Sequence, residues 1–277
     1  MTGLRYAAFT TDPTTGNPAG VVLDASGMTD VEMQRIAAEI GYSETAFAVP
    51  AGDRRFAVRY FSPLAEVAFC GHATIAAAVA LAERDGPGDL LFDTKAGEVP
   101  VRTASRETVI ASLTSVPTRS RPATDEEVER TLAALHWTRA DLDPAWPAHV
   151  SFAGNEHLVL TTATRDRLAA LDYDFEPLQQ LMLERGWTTL QLVWPENEDV
   201  VHARDPFPVG GVVEDPATGA AAAAYGGYLR ALGKVTAPRR LLIVQGEDMG
   251  RRSDLTVDID PADARVTVTG AATLIPS

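Results

Sequence analysis

The sequence predicts an α+β protein of two pseudo-symmetric lobes, and three observations carry that prediction. The order of turns, strands and helices in the first half recurs in the second. Two helical stretches are built almost wholly of small or apolar residues, so they need cover on every side. Helices and strands do not simply alternate, which disfavours a doubly wound nucleotide fold.

The elements follow in order. In the first half, Gly16-Asn17-Pro18-Ala19-Gly20 turns into the strand Val21–Leu23, and Asp30 to Ile40 reads as an amphipathic helix closed by Gly41. Strands are expected at Thr45–Val49 and Arg55–Phe61, before a glycine turn at Cys70-Gly71-His72 and a helix of small residues over 73–83. The second half repeats this. Gly154-Asn155 turns into a strand ending at Leu160, and the helix from Asp174 is closed by Gly186. Strands at Thr189–Trp194 and Val200–Arg204 precede Asp215-Pro216-Ala217-Thr218-Gly219 and a second small-residue helix over 220–231. The shared Ala-Thr pair, Ala73-Thr74 and Ala217-Thr218, sets the register between the copies. Further strands are expected at Thr108–Leu113, Leu241–Val244 and Asp254–Ile259. The polar, Pro-rich stretch Val116–Pro122 reads as the junction, followed by a helix whose Thr124 and Glu127 form a capping box. The expected lobes are residues 1–117 and 118–261, with the segment from about 262 to 277 packing back on the first.

Composition narrows the function. The 277 residues hold 24 Lys+Arg against 38 Asp+Glu, a formal charge of −14, without the basic stripe of a nucleic-acid binder. No run approaches the roughly 18 apolar residues of a membrane span. The start, Met1 to Tyr6, lacks an apolar signal core, so a cytoplasmic location is expected. The single cysteine excludes an internal disulfide or a multi-Cys metal cluster, and the histidines at 136, 149, 157 and 202 show no ligand spacing. Neither a Gly-x-Gly-x-x-Gly nor a P-loop pattern occurs, which removes the dinucleotide and P-loop readings, and with no ligand spacing no metal site is expected.

The starts of the two small-residue helices are the chemically interesting places. A buried helix start presents N–H groups without intrahelical partners and a partial positive charge, which together favour an anion. Gly71-His72 and Thr218-Gly219-Ala220 lie there, and glycine lets a ligand approach the backbone. If the repeat is symmetric, the two starts face one positive pocket between the lobes, selective for an anionic substrate.

Four blocks then resemble one family: Gly-Asn-Pro-Ala-Gly-Val-Val (16–22), Ser-Glu-Thr-Ala-Phe (43–47), Cys-Gly-His-Ala-Thr-Ile-Ala (70–76) and Glu-Asp-Pro-Ala-Thr-Gly-Ala-Ala (214–221). In this order and spacing they are similar to the phenazine-biosynthesis isomerases, the PhzF-like proteins. The resemblance implies a diaminopimelate epimerase-like fold, each lobe a mostly antiparallel strand barrel around a central helix, and a homodimer. It also implies a cofactor-independent isomerase, acting in the inter-lobe cleft on a cyclic or conjugated amino-carboxylate. By the same resemblance Glu44 is the proton-transferring carboxylate, while His72 and Asp215 hold or orient polar groups of the substrate. Gly71, Thr218, Gly219 and Ala220 then line its carboxylate. A desolvated carboxyl at Glu44 suits such proton transfer, because burial raises its affinity for a proton.

Two departures bear on this. Ala220 stands where the characterised isomerases carry Ser, which removes a hydroxyl contact and puts the substrate in question. Cys70 falls where epimerases of this fold place one of two catalytic thiols, yet there is no second cysteine. It is read as a small buried residue. The alternatives kept open are an epimerase with unlike bases, Glu44 opposite Cys70 or Asp215, and a catalytically silent binding member.

Overall fold

A computed structural model describes residues 3–276. The chain divides into two compact units, Met1–Thr114 with Thr269–Ser277, and Ser115–Val268.

In the first unit the strands are β1 (Leu4–Ala8), β2 (Asn17–Val22), β3 (Thr45–Gly52), β4 (Arg55–Phe61), the short β5 (Glu66–Val67), β6 (Asp89–Thr94), β7 (Gly97–Ser105) and β8 (Val109–Thr114). The last strand of the chain, β17 (Val266–Leu274), returns to pair with β1 and β8. Going round, β1–β2, β3–β4, β6–β7 and β7–β8 are antiparallel, and β2–β3 and β4–β6 are parallel. The ring β17-β1-β2-β3-β4-β6-β7-β8 is therefore a closed barrel of eight strands, with β5 as an outlier on β4.

Helix α1 (Asp30–Ile40) starts on a Thr29–Glu32 capping box and stops at Gly41, whose φ of 74° a glycine adopts without strain. Its face of Met33, Ile36 and Ala37 packs with Val22, Phe47 and Phe61. Helix α2 (Gly71–Asp85) is buried from His72 to Ala82. That explains its composition: a helix enclosed by strands has no solvent side to keep polar, and alanines let the strands close in.

The second unit repeats the plan. Its elements are β9 (Arg119–Pro122), α3 (Asp125–Ala134), β10 (His149–Phe152), β11 (Glu156–Thr161), α4 (Arg165–Ala169), α5 (Phe175–Arg185), β12 (Trp187–Pro195), β13 (Val200–Pro206), β14 (Glu214–Asp215), α6 (Gly219–Ala231), β15 (Arg239–Gln245) and β16 (Ser253–Ile259). Antiparallel β10–β11, parallel β11–β12, antiparallel β12–β13, parallel β13–β15 and antiparallel β15–β16 match the first unit pair for pair. Within the stretch read from sequence as a junction, Arg119–Pro122 instead forms β9, paired with β10. The expected Thr124–Glu127 capping box is present.

Helix α6 is buried from Ala221 to Leu229. Two of its glycines are there for close approach: a Cβ on Gly226 would lie 2.9 Å from Val266 Cγ2, and one on Gly227 would lie 2.6 Å from Thr118 Oγ1. Helices α3, with its cap residue Leu135, and α5 bury Leu132, Leu135, Leu178 and Met182 in one cluster with Leu158, Trp187 and Leu192.

Candidate active site

In the first unit, three side chains meet at the start of α2. Glu44 precedes β3 directly, and its carbonyl accepts a hydrogen bond from Gly20 N at 3.0 Å, which ties the Ser43-Glu44 turn to β2. Its carboxylate Oε2 lies 3.4 Å from His72 Nε2. The Cys70 thiol donates to the same Oε2 at 3.5 Å, and Cys70 Sγ lies 3.4 Å from His72 Nδ1. Ser43 Oγ is 3.4 Å from His72 Nε2. The histidine side chain is 7% exposed and that of Glu44 19%, so the carboxylate can be reached from solvent while the imidazole is held behind it.

Cys70 is the N-cap of α2. The first helical hydrogen bond runs from Thr74 N to Cys70 O, so the amides of Gly71, His72 and Ala73 precede it. A Cβ on Gly71 would meet no atom within 4 Å, which leaves the backbone open to a ligand there. Sequence reasoning placed Glu44, Gly71 and His72 in the site but left Cys70 as packing. The residue is buried as expected, yet its thiol touches both the Glu44 and the His72 side chains. The available signal was its place two residues before His72.

In the second unit, Asp215 lies on β14, opposite Asp205 of β13. Thr218 Oγ1 donates to Asp215 Oδ2 at 2.6 Å. Gln245, buried at the end of β15, donates from Nε2 to the Asp215 carbonyl at 2.7 Å and to Thr218 Oγ1 at 3.0 Å. Its Oε1 accepts from Thr218 N at 3.0 Å. The first bond of α6 runs from Ala222 N to Thr218 O, so the amides of Gly219, Ala220 and Ala221 precede it. The backbone amide of Thr218, by contrast, is already committed to Gln245.

Behind this cluster lies a buried polar chain that sequence reasoning did not single out. Asp205 is fully buried, and burial, then the charge of Asp215, pushes its carboxyl well above the usual carboxylate range. Thr189 Oγ1 donates to it at 3.2 Å, and Gln191, with its amide turned to suit both neighbours, donates at 3.0 and 3.2 Å. His157 Nδ1 lies 2.8 Å from Thr189 Oγ1, and burial pushes this imidazole down to about 3, so it is neutral at ordinary pH.

Each unit also carries an Arg–Glu pair beside its helix start. Arg59 Nε and Nη2 both reach Glu66 at 2.7 Å, and Arg204 Nε and Nη2 reach Glu214 at 2.6 to 3.2 Å. The sequence comparisons agree with this architecture. Residues 6–277 match the family model described as phenazine biosynthesis-like protein. The chain is 32% identical over 281 residues to the uncharacterized isomerase YddE of Escherichia coli, covering 97% of this chain and 94% of that one. It is 29% identical over 250 residues to the trans-2,3-dihydro-3-hydroxyanthranilate isomerase of Pseudomonas chlororaphis, covering 89% and 86%. The crystal structure of the Bacillus anthracis phenazine biosynthesis protein of the PhzF family superposes with a TM-score of 0.90 at 26% identity, covering 99% of this chain and 96% of that one. The chain belongs to the phenazine biosynthesis-like protein family. Its class of activity is that of an isomerase.

Proposed function

We propose that this isomerase works without a cofactor and moves a proton on a small anionic, cyclic or conjugated amino-carboxylate, with Glu44 as its single acid/base. The supporting observation is the convergence on Glu44 Oε2 of His72 Nε2 at 3.4 Å and the Cys70 thiol at 3.5 Å. The Glu44 carboxylate takes a proton from a substrate carbon, and the electron pair left behind delocalises into the conjugated system. The carboxylic acid so formed returns the proton to another carbon, and the double bond shifts with no net change in atoms or charge. His72 orients the carboxylate and offers a hydrogen bond to a polar substrate group. The Pseudomonas chlororaphis relative, by its name an isomerase of a dihydro-hydroxyanthranilate, supports the substrate class. Asp215 is assigned to binding rather than proton transfer, because its carboxylate is already held by Thr218 Oγ1.

The same contact argues against an epimerase that uses Glu44 and Cys70. Two bases on opposite faces of one carbon must stand about 6 Å apart, roughly one hydrogen-bond length on each side. Here Sγ and Oε2 are 3.5 Å apart. The test is to incubate the enzyme in heavy water with a panel of conjugated and cyclic amino-carboxylates, including trans-2,3-dihydro-3-hydroxyanthranilate, and to follow the products by NMR. Deuterium at a new carbon is the expected result, because the Glu44 carboxyl is open enough to solvent to exchange its proton before returning it. Exchange with inversion at one carbon would make it an epimerase, and binding without exchange would make it a silent binding protein. Either outcome overturns the proposal.

A further inference from the structure

A cavity of about 450 Å³ opens in the second unit, with Tyr225 and Leu229 of α6 in its wall. At 1.5 Å per residue these stand about 9 and 15 Å along the helix from Gly219, well beyond the cluster of Asp215 and Thr218. Its size falls within the range of about 300–1,000 Å³ usual for small-molecule sites.

Two features distinguish it from a gap in the packing. The first is Tyr225. Only small residues, Gly219 to Ala224, precede it in α6, and the equivalent position of α2, seven residues after the cap, is Ala77. The tyrosine is fully buried, yet its hydroxyl has no hydrogen-bond partner, which is costly for a buried polar group. The second is charge. Lys234, Arg239, Asp143 and Glu198 all line the cavity, and among the described residues none of the four makes an ion pair. The Arg239 guanidinium donates to the backbone carbonyls of Lys234 and Glu198 instead. Lys234 Nζ sits 3.9 Å over the Trp146 ring, and the Asp143 carboxylate accepts the backbone amide of Ala145 at 2.9 Å.

One wall is also held in place. Trp146 stacks on Tyr228 with ring centroids 6.4 Å apart, and the Tyr228 hydroxyl donates to the Pro147 carbonyl at 3.0 Å. Both contacts fix the turn that carries Asp143 and Trp146 against α6.

We propose that this cavity binds an α-amino acid with an aromatic side chain, apart from the site at the helix starts. Its carboxylate is held by Lys234 and Arg239, its ammonium by Asp143, and its ring lies among Trp146, Trp194 and Leu229. Two unpaired charges of each sign match a zwitterion, whereas a plain carboxylate or amine faces two groups that repel it. Aromatic walls add edge-to-face contact with a ring. Arg239 stands close enough for its charge to act on the Tyr225 hydroxyl, so a carboxylate seated there is also the natural acceptor for that orphaned group. None of this depends on the role of Glu44.

The test is titration of the full chain with L-phenylalanine, read by tryptophan fluorescence and by calorimetry. Trp146 and Trp194 line the cavity, and phenylalanine does not absorb where tryptophan is excited. A saturable fluorescence change with one molecule bound per chain is expected. Phenylacetate lacks the ammonium, phenethylamine the carboxylate and L-alanine the ring, and each should bind at least about tenfold more weakly. Lys234→Met and Asp143→Asn should each weaken L-phenylalanine by about tenfold or more, the lower end of what a hydrogen bond to a charged group is worth. Absence of saturable binding, a partial analogue that binds as well as L-phenylalanine, or full affinity in either variant would overturn the proposal. So would loss of binding in Glu44→Gln, which would place the probe at the first unit's site. The three analogues decide the matter on the unaltered protein even if a variant fails to fold.

Discussion

Arg204 grips Glu214 through Nε and Nη2, with the two side chains only 11% and 4% exposed. Its counterpart in the first unit, Arg59 with Glu66, is 29% and 13% exposed, and Arg59 also bonds Asp30. Removing one partner of a buried pair strands the other charge, at a cost of about 3–5 kcal/mol. Glu214→Ala should therefore destabilise by about that much. Glu66→Ala should cost only about 1 kcal/mol, because solvent and Asp30 still serve Arg59. Urea denaturation of both variants checks the ranking, and equal losses would contradict it.

Asp205 predicts a pH dependence with a definite sign. In the folded protein burial holds its proton on well above 3.8, whereas in the unfolded chain it ionises near that value. Folding therefore takes up a proton above about pH 4, and stability from this group falls as pH rises from there towards the folded pKa. Asn cannot ionise and still offers an oxygen to Thr189 and Gln191. The stability of Asp205→Asn relative to the parent should accordingly rise by up to about 1.4 kcal/mol per pH unit through this window. Denaturation curves from pH 4 to 7 with a constant difference would show that Asp205 is ionised in the fold.

Cys70 separates a supporting thiol from a second base. Its hydrogen bond to Glu44 is long, at 3.5 Å, and a hydroxyl can replace it. Cys70→Ser should thus lower kcat by less than about tenfold, since the serine hydroxyl keeps a hydrogen bond to the carboxylate and only the difference between two such bonds, about 1 kcal/mol, is at stake. A loss as large as that from removing Glu44 would make the thiol a proton-transfer group.

The repeat was legible in the sequence, but its register was not. Matching Ala73-Thr74 to Ala217-Thr218 places the copies one helical turn out of step. The caps show the true correspondence, Cys70 with Thr218, since these residues accept the first helical bonds from Thr74 and Ala222. Gly41 precedes Arg59 by 18 residues, as Gly186 precedes Arg204, but Glu66 follows its arginine by 7 and Glu214 by 10. That three-residue insertion nearly cancels the four-residue error, so the mistaken spacing looked consistent. That Glu44, Gly71 and His72 come together at one helix start was legible, because they sit in short motifs at element ends. Gln245 and Asp205 were not, because each lies on a strand whose local pattern says nothing of which neighbour it will face. Only the pairing of β13 with β14 and β15 brings them to Asp215.

The most direct test of the account is Glu44→Gln, which keeps the shape and hydrogen-bonding reach of the side chain but cannot accept the proton. Solvent deuterium incorporation into a substrate found with the panel, measured by NMR alongside kcat and KM, should fall by about 10²–10⁴-fold in kcat, with KM nearly unchanged. Deuterium incorporation at the parental rate in Glu44→Gln would contradict the account, because another group would then be moving the proton.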